Sequence, residues 1–242
     1  MGSMFDGNYF IPPLSKFSFN FPNPREASDE GLVAYGGNLE PNRILTAYRN
    51  GIFPWFNEND PILWWSPNPR LLLYPKDFKV SKSFRKVLRN KKFLVKFDYN
   101  FEQVIENCAK IREAKEGTWL IKSMREAYIE LHKMGFAHSV EVYEADELIG
   151  GLYGLNLGSA FFGESMFSLK SNASKIALKA LCDIAIKRDY KFIDCQVPTP
   201  HLQSLGAKLV DRDIFLDELE EVLQKGGDIG SWNKLNWEYA DG

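Results

Sequence analysis

Two short runs in this 242-residue chain hold residue types suited to acid–base chemistry: GESMF, Gly163 to Phe167, and FIDCQV, Phe192 to Val197. Each is apolar around its polar groups, Glu164 in the first and Asp194 with Gln196 in the second. Side chains alternate faces along a strand. Glu164 should therefore share a face with Phe162 and Met166, and Phe192 with Asp194 and Gln196. Polar groups buried on such faces cost roughly 1–3 kcal/mol each unless partnered. Two carboxylates and an amide on neighbouring strands are thus either satisfied within the protein, by an ion pair or a cap, or kept for a ligand. A carboxylate can take a proton from an attacking group; an amide is no strong base and suits positioning.

The elements around these runs can be read in turn. The helix from about Ser171 to Arg188 turns Ala177, Leu181 and Ile184 to the core, and its start, beside Lys175, is suited to an anion. Strands His138–Glu144, Leu148–Leu157 and Ser159–Phe167 form an antiparallel meander by loop length, with a turn at Ala145–Asp146. Gly150, Gly151, Gly154 and Gly158 interrupt the middle strand, marking a bulge or a close approach. His138 reads as structural. Further upstream, Asn100 can cap a helix lined by Phe101, Val104, Ile105 and Cys108. Ser123 and Glu126 predict a capping box for the next helix, with Met124, Ala127, Tyr128 and Leu131 as its apolar stripe. The chain to about Pro69 is rich in aromatics, Pro and Gly. Its one clear helix starts at Pro41, buries Ile44, Leu45 and Tyr48, and closes at Gly51. Four prolines between Ile52 and Arg70 predict an ordered loop. Within it Trp64 and Trp65 read as core, while Trp55 either packs or offers a flat face to a base.

Composition narrows the class. At 45% hydrophobic and 26% charged residues the chain reads as soluble and globular, and no apolar run approaches a membrane span. Three cysteines without metal-ligand spacing, and only three histidines, argue for reduced thiols and against zinc. The net charge of −2 hides an asymmetry. Lys76 to Lys96 carries Lys82, Arg85, Lys86, Arg89, Lys91 and Lys92 among its basic residues, with Asp77 its one acid, whereas acids crowd Asp211 to Glu221. Such a segment is either a phosphate-binding face or a solvated helix face.

The runs GESMFS, NASK, DCQ, the following histidine and SLGA, with YRNGIFPWF, DPILWWSP, EGTW and AHSVEV upstream, resemble the bacterial leucyl/phenylalanyl-tRNA–protein transferases from about Gly31 to Leu209. The order β-β-β-α-β is also similar to the acetyl-CoA-dependent N-acetyltransferases. Their Gly-rich pyrophosphate loop is absent, which argues against coenzyme A. The expected fold is α+β: an acetyltransferase-like mixed sheet with flanking helices over residues 71–242, after a small aromatic and Pro-rich domain over 1–70.

The resemblance implies transfer of Leu or Phe, and weakly Met, from aminoacyl-tRNA to an N-terminal Arg or Lys of acceptor proteins, marking them for the N-end rule pathway. It implies that Asp194, Gln196 and Glu164 are catalytic, with Asp194 acting through Gln196 to orient or deprotonate the amine. It implies that Trp55 and Trp119 hold the terminal adenosine, that Tyr48 and Tyr128 touch substrate, and that Leu152, Phe161, Met166, Leu181 and Ile193 wall the aminoacyl slot. Phe161 and Met166 fall on opposite faces of an ideal strand; a bulge near Gly163 would reconcile them. No cofactor or metal and no membrane partner are expected, and a cytoplasmic monomer is. An acyl-CoA N-acetyltransferase and a non-catalytic RNA-binding module are the alternatives.

Overall fold

The computed structural model describes residues 4–6, 9–90, 92–116 and 120–240. A hairpin of β1 (Met4–Asp6) and β2 (Tyr9–Ile11) opens the chain. A small sheet follows, built from β3 (Pro13–Leu14), β4 (Leu32–Gly36), β5 (Phe53–Pro54) and β6 (Leu63–Trp65) in the order β3-β4-β6-β5. The aromatic segment expected as loop therefore supplies two of its strands. They are only two and three residues long, and Pro54 sits on the sheet edge, where a missing N–H is tolerated. Helix α1 (Pro41–Arg49) carries its proline at the first turn and buries Ile44, Leu45 and Tyr48 as expected.

The larger sheet contains β7 (Arg70–Leu73), β8 (Leu94–Phe97), β9 (Ala137–Glu144), β10 (Glu147–Leu157), β11 (Ala160–Ser168), β12 (Phe192–Gln196) and β13 (Lys208–Val210). Its order is β13-β7-β12-β11-β10-β9-β8. The meander β9-β10-β11 is antiparallel, and α5 (Ala173–Lys187) crosses over to lay β12 parallel to β11. This is the mixed order, an antiparallel meander followed by a helical crossover, that the sequence implied.

Helices cover both faces. On one, α1, α3 (Phe101–Glu116), α4 (Lys122–Lys133) and α7 (Arg212–Leu223) share a core with the small sheet, centred on Trp64, Tyr48, Tyr128, Tyr153 and Phe162. On the other, α2 (Lys82–Arg89), α5 and α6 (Pro200–Ser204) pack around Leu152, Phe161, Leu181 and Ile193. The capping box at Ser123 does not form. Helix α4 begins one residue earlier, and Ile121 caps it without a side-chain hydrogen bond.

The last stretch is pinned by aromatics. Trp232 stacks on buried His138 with ring centres 4.0 Å apart, and it also meets Phe161 at 5.8 Å. Asp98 ties the two together, meeting His138 Nδ1 at 2.9 Å and accepting the Trp232 backbone N–H. His138 is structural, and burial lowers its pKa.

Candidate active site

Two irregularities in the sheet create the site. Along β10, Tyr153 faces Ser165 but Gly154 faces Gly163, so Glu164 is the extra residue of a bulge in β11. Gly154 is required there: a Cβ on it would lie 2.1 Å from the Phe162 carbonyl oxygen. The bulge resets alternation, which places Phe161 and Met166 on the same side as Leu152, as the proposed slot needs. It also corrects the simple strand reading, in which Glu164 and Met166 shared a face.

The second irregularity is in β12, whose register with β7 shifts between Asp194 and Gln196. Gln196 takes a left-handed backbone conformation at φ 64°. For a residue with a side chain this costs on the order of 1–3 kcal/mol and persists only when the surroundings enforce it. Asp194 enforces it: its Oδ1 accepts the Gln196 backbone N–H at 2.8 Å. The turn brings the Gln196 side chain to the wall that carries Ile193 and Cys195, instead of leaving it with Phe192 and Asp194.

Together these features open a cleft of about 540 Å³ between the splayed ends of β11 and β12. Leu152, Phe161, Met166, Leu181 and Ile193 all line it, with Glu164 and Gln196 on one wall and Phe53, Pro54 and Trp55 at its margin. Trp55 is 44% exposed, and its carbonyl accepts the Trp65 indole N–H. Arg112, Ser165 and Tyr153 also line the cleft without having been singled out in the sequence, and His201, the histidine after DCQ, lines it too. Arg112 Nε donates to Ser165 Oγ at 3.0 Å. Burial, then Lys175, lowers the His201 pKa.

Glu164 is the hub of the polar wall. Its Oε1 accepts the Gln196 side-chain N–H at 2.8 Å and the Tyr48 hydroxyl, and Oε2 hydrogen-bonds with the Tyr128 hydroxyl at 2.8 Å. The two tyrosine oxygens lie 2.7 Å apart. Burial pushes the Glu164 pKa up to about 7, against the pull of these donors. Tyr48 and Tyr128 sit behind Glu164 and not on the cleft wall, so the substrate contact implied for them gives way to a contact with this carboxyl.

Asp194 also sits away from the cleft. It is fully buried and paired side-on with Arg70, whose Nε and Nη2 donate at 2.9 and 2.7 Å. Arg70 is itself held between the rings of Phe53 and Phe215. Oδ1 accepts two hydrogen bonds and Oδ2 one, and the carboxyl is sealed from solvent and does not line the cleft, so its reach into the cleft is through Gln196.

Outside the cleft, α2 buries Phe84 and Leu88 and leaves Lys82, Arg85, Lys86 and Arg89 exposed, with Lys92 exposed just beyond. Trp119 and Lys91 lie outside the described residues. At the start of α5, Ser168 Oγ accepts the Ser174 N–H. Among the described residues no cluster has metal-ligand character.

A mixed sheet of this order, opened over a carboxyl–amide wall and an apolar slot, is built as an acyl-group transferase is built. A family model described as leucyl/phenylalanyl-tRNA protein transferase matches residues 72–220, and one described as the N-terminal domain of the same proteins matches 37–68. The leucyl/phenylalanyl-tRNA–protein transferase of Sulfurimonas denitrificans is 53% identical over 213 residues, covering 88% of this chain and 92% of its own. That of Legionella pneumophila (strain Corby) is 49% identical over 216 residues, covering 89% and 97%. Among solved structures, a conserved protein of unknown function from Bacteroides thetaiotaomicron aligns at 10% identity and a TM-score of 0.38, over 65% of this chain and 56% of its own, too slight a likeness to bear on the fold. The chain belongs to the leucyl/phenylalanyl-tRNA protein transferase family, a family of aminoacyltransferases.

Proposed function

We propose that this protein transfers leucine or phenylalanine, and methionine weakly, from aminoacyl-tRNA to an N-terminal Arg or Lys of acceptor proteins, marking them for degradation by the N-end rule. It acts as a cytoplasmic monomer. The acceptor's α-amine attacks the ester carbonyl at the tRNA 3′ end, a C–N bond forms, the C–O bond breaks, and the amine's proton ends on the departing 3′ oxygen, freeing the tRNA as its hydroxyl. An ester is already activated, so positioning supplies much of the rate.

Each group has a part in this reading. Trp55 stacks on the terminal adenosine. Leu152, Phe161, Met166, Leu181 and Ile193 hold a side chain unbranched at Cβ, since Val and Ile would collide with the slot walls. Gln196 commits its N–H to Glu164 and so turns its amide oxygen to the amine. Asp194, neutralised by Arg70, is a positioning residue that keeps Gln196 in its turned conformation. Glu164 receives the acceptor's cationic side chain. The exposed cations Lys82, Arg85, Lys86, Arg89 and Lys92 take the tRNA backbone. The chain divides near residue 70 into a smaller unit that reads the adenosine end and a larger one that holds the reaction.

One observation carries the reading: the five apolar residues and the Glu164–Gln196 pair converge on a single cleft although they come from three strands and a helix. Incubation with radiolabelled Phe-tRNA and a peptide beginning with Arg should give labelled peptide, and a peptide beginning with Asp should not. Binding of the tRNA without product would reduce the protein to an RNA-binding module.

A further inference from the structure

The ring of oxygens around Glu164 poses a counting problem. Tyr48 with Glu164 Oε1, Tyr128 with Oε2, and the two tyrosine oxygens with each other make three hydrogen-bonding contacts in a closed circuit. Each contact needs one hydrogen, and two phenols supply two. With an ionised Glu164, one contact would set lone pair against lone pair in a fully buried site. A third hydrogen closes the circuit.

We propose that Glu164 is a neutral carboxylic acid in the free protein, sharing its proton around the Tyr48–Tyr128 ring, and that the cationic end of the acceptor drives this proton off to solvent when it binds. The proposal rests on the transfer reaction described above. The Gln196 N–H, donated to Oε1, fixes the direction of the ring. Oε1 is the better acceptor, so Oε2 carries the hydrogen and the circuit runs from Glu164 to Tyr128 to Tyr48 and back. The surroundings agree. Glu164 is buried on the cleft wall, the anion acting on it is Asp194 on β12, and that charge is already met by Arg70. Tyr153 on β10 faces it with a buried hydroxyl that has no partner. Arg112 on α3 donates to Ser165, Cys108 on α3 hydrogen-bonds Ser165, and Glu164's own hydrogen bonds go to Tyr48, Tyr128 and Gln196. Burial raises the Glu164 pKa in the same sense, outweighing the tyrosine and Gln196 donors that lower it, and both phenols are themselves held protonated by burial.

The experiment is a pH titration of protein labelled with ¹³C at the glutamate side-chain carboxyl carbons, wild type beside Glu164→Gln. One carbon should titrate near neutrality, far above the ordinary glutamate midpoint of about 4.3, and vanish in the variant. Adding an Arg-initiated peptide at about pH 6 should move that carbon to its carboxylate position. In steady-state assays the KM for the peptide should rise roughly tenfold per pH unit below the midpoint with kcat little changed, and Glu164→Gln should flatten that slope. Titration of every glutamate in the ordinary range would overturn the neutral acid. A resonance unmoved by peptide while labelled product still forms would overturn the displacement. A neutral-range carbon in a protein that makes no product would support the resting proton and instead sink the transfer reading.

Discussion

Replacing Asp194 by Asn separates the two functions that its position serves. The substitution keeps an oxygen for the Gln196 N–H but removes the charge opposite Arg70, with both side chains fully buried. An uncompensated buried guanidinium costs about 3–5 kcal/mol. For a chain of this size each kcal/mol lowers the melting temperature by about 2–4 °C, so a fall of roughly 6–20 °C is expected. Gln196 also loosens, because the strained conformation at φ 64° depends on a well-placed acceptor, and transfer from Phe-tRNA should fall with it. Replacing both partners with apolar residues, Arg70→Met with Asp194→Leu, should recover most of the stability. It should not recover transfer, since nothing then holds the Gln196 N–H. Melting by circular dichroism and a labelled-product assay on the same samples make the comparison. An Asp194→Asn protein that melts with wild type and transfers at full rate would refute the reasoning.

Other perturbations act elsewhere in the cleft. Glu164 binds its proton more tightly folded, at about 7, than unfolded, so its contribution is complete at low pH and is lost as pH rises from about 4.5 to 7. That is on the order of 3 kcal/mol, and denaturant melts of Glu164→Gln should show a flatter dependence across the window. Trp55→Ala removes a half-exposed ring, so the melting temperature should hold while the KM for aminoacyl-tRNA rises by the roughly 1–3 kcal/mol of one stacked base. Neutralising Lys82, Arg85 and Lys86 together should weaken tRNA binding and reduce its log–log salt slope by roughly 0.7–0.9 per charge, measured by filter binding. An unchanged slope would remove α2 from the RNA-binding surface.

The parts of the sequence that proved legible are those whose cause is local. Pro41 and Gly51 mark α1, the meander follows from strand spacing, and the conflict between Phe161 and Met166 gave away the bulge at Glu164. What could not be read depends on distant partners. Arg70 lies 124 positions from Asp194, and an arginine opening an apolar strand was the one signal that a buried carboxylate awaited it. The turn at Gln196 reverses the side expected from alternation, because a tertiary contact overrides the period of the strand. Likewise the Ser123 box lost to a helix that starts at Lys122, and a short edge strand absorbed Pro54, which looked like loop.

The end of the chain has an unadvertised duty. Trp232 stacks on His138 and meets Phe161 of the cleft wall, so that wall is propped by a segment downstream of residue 220, where the family match ends. Trimming the tail, or fusing a bulky tag close behind it, would therefore be felt first as a change in which amino acids the slot accepts, well before the sheet itself gave way.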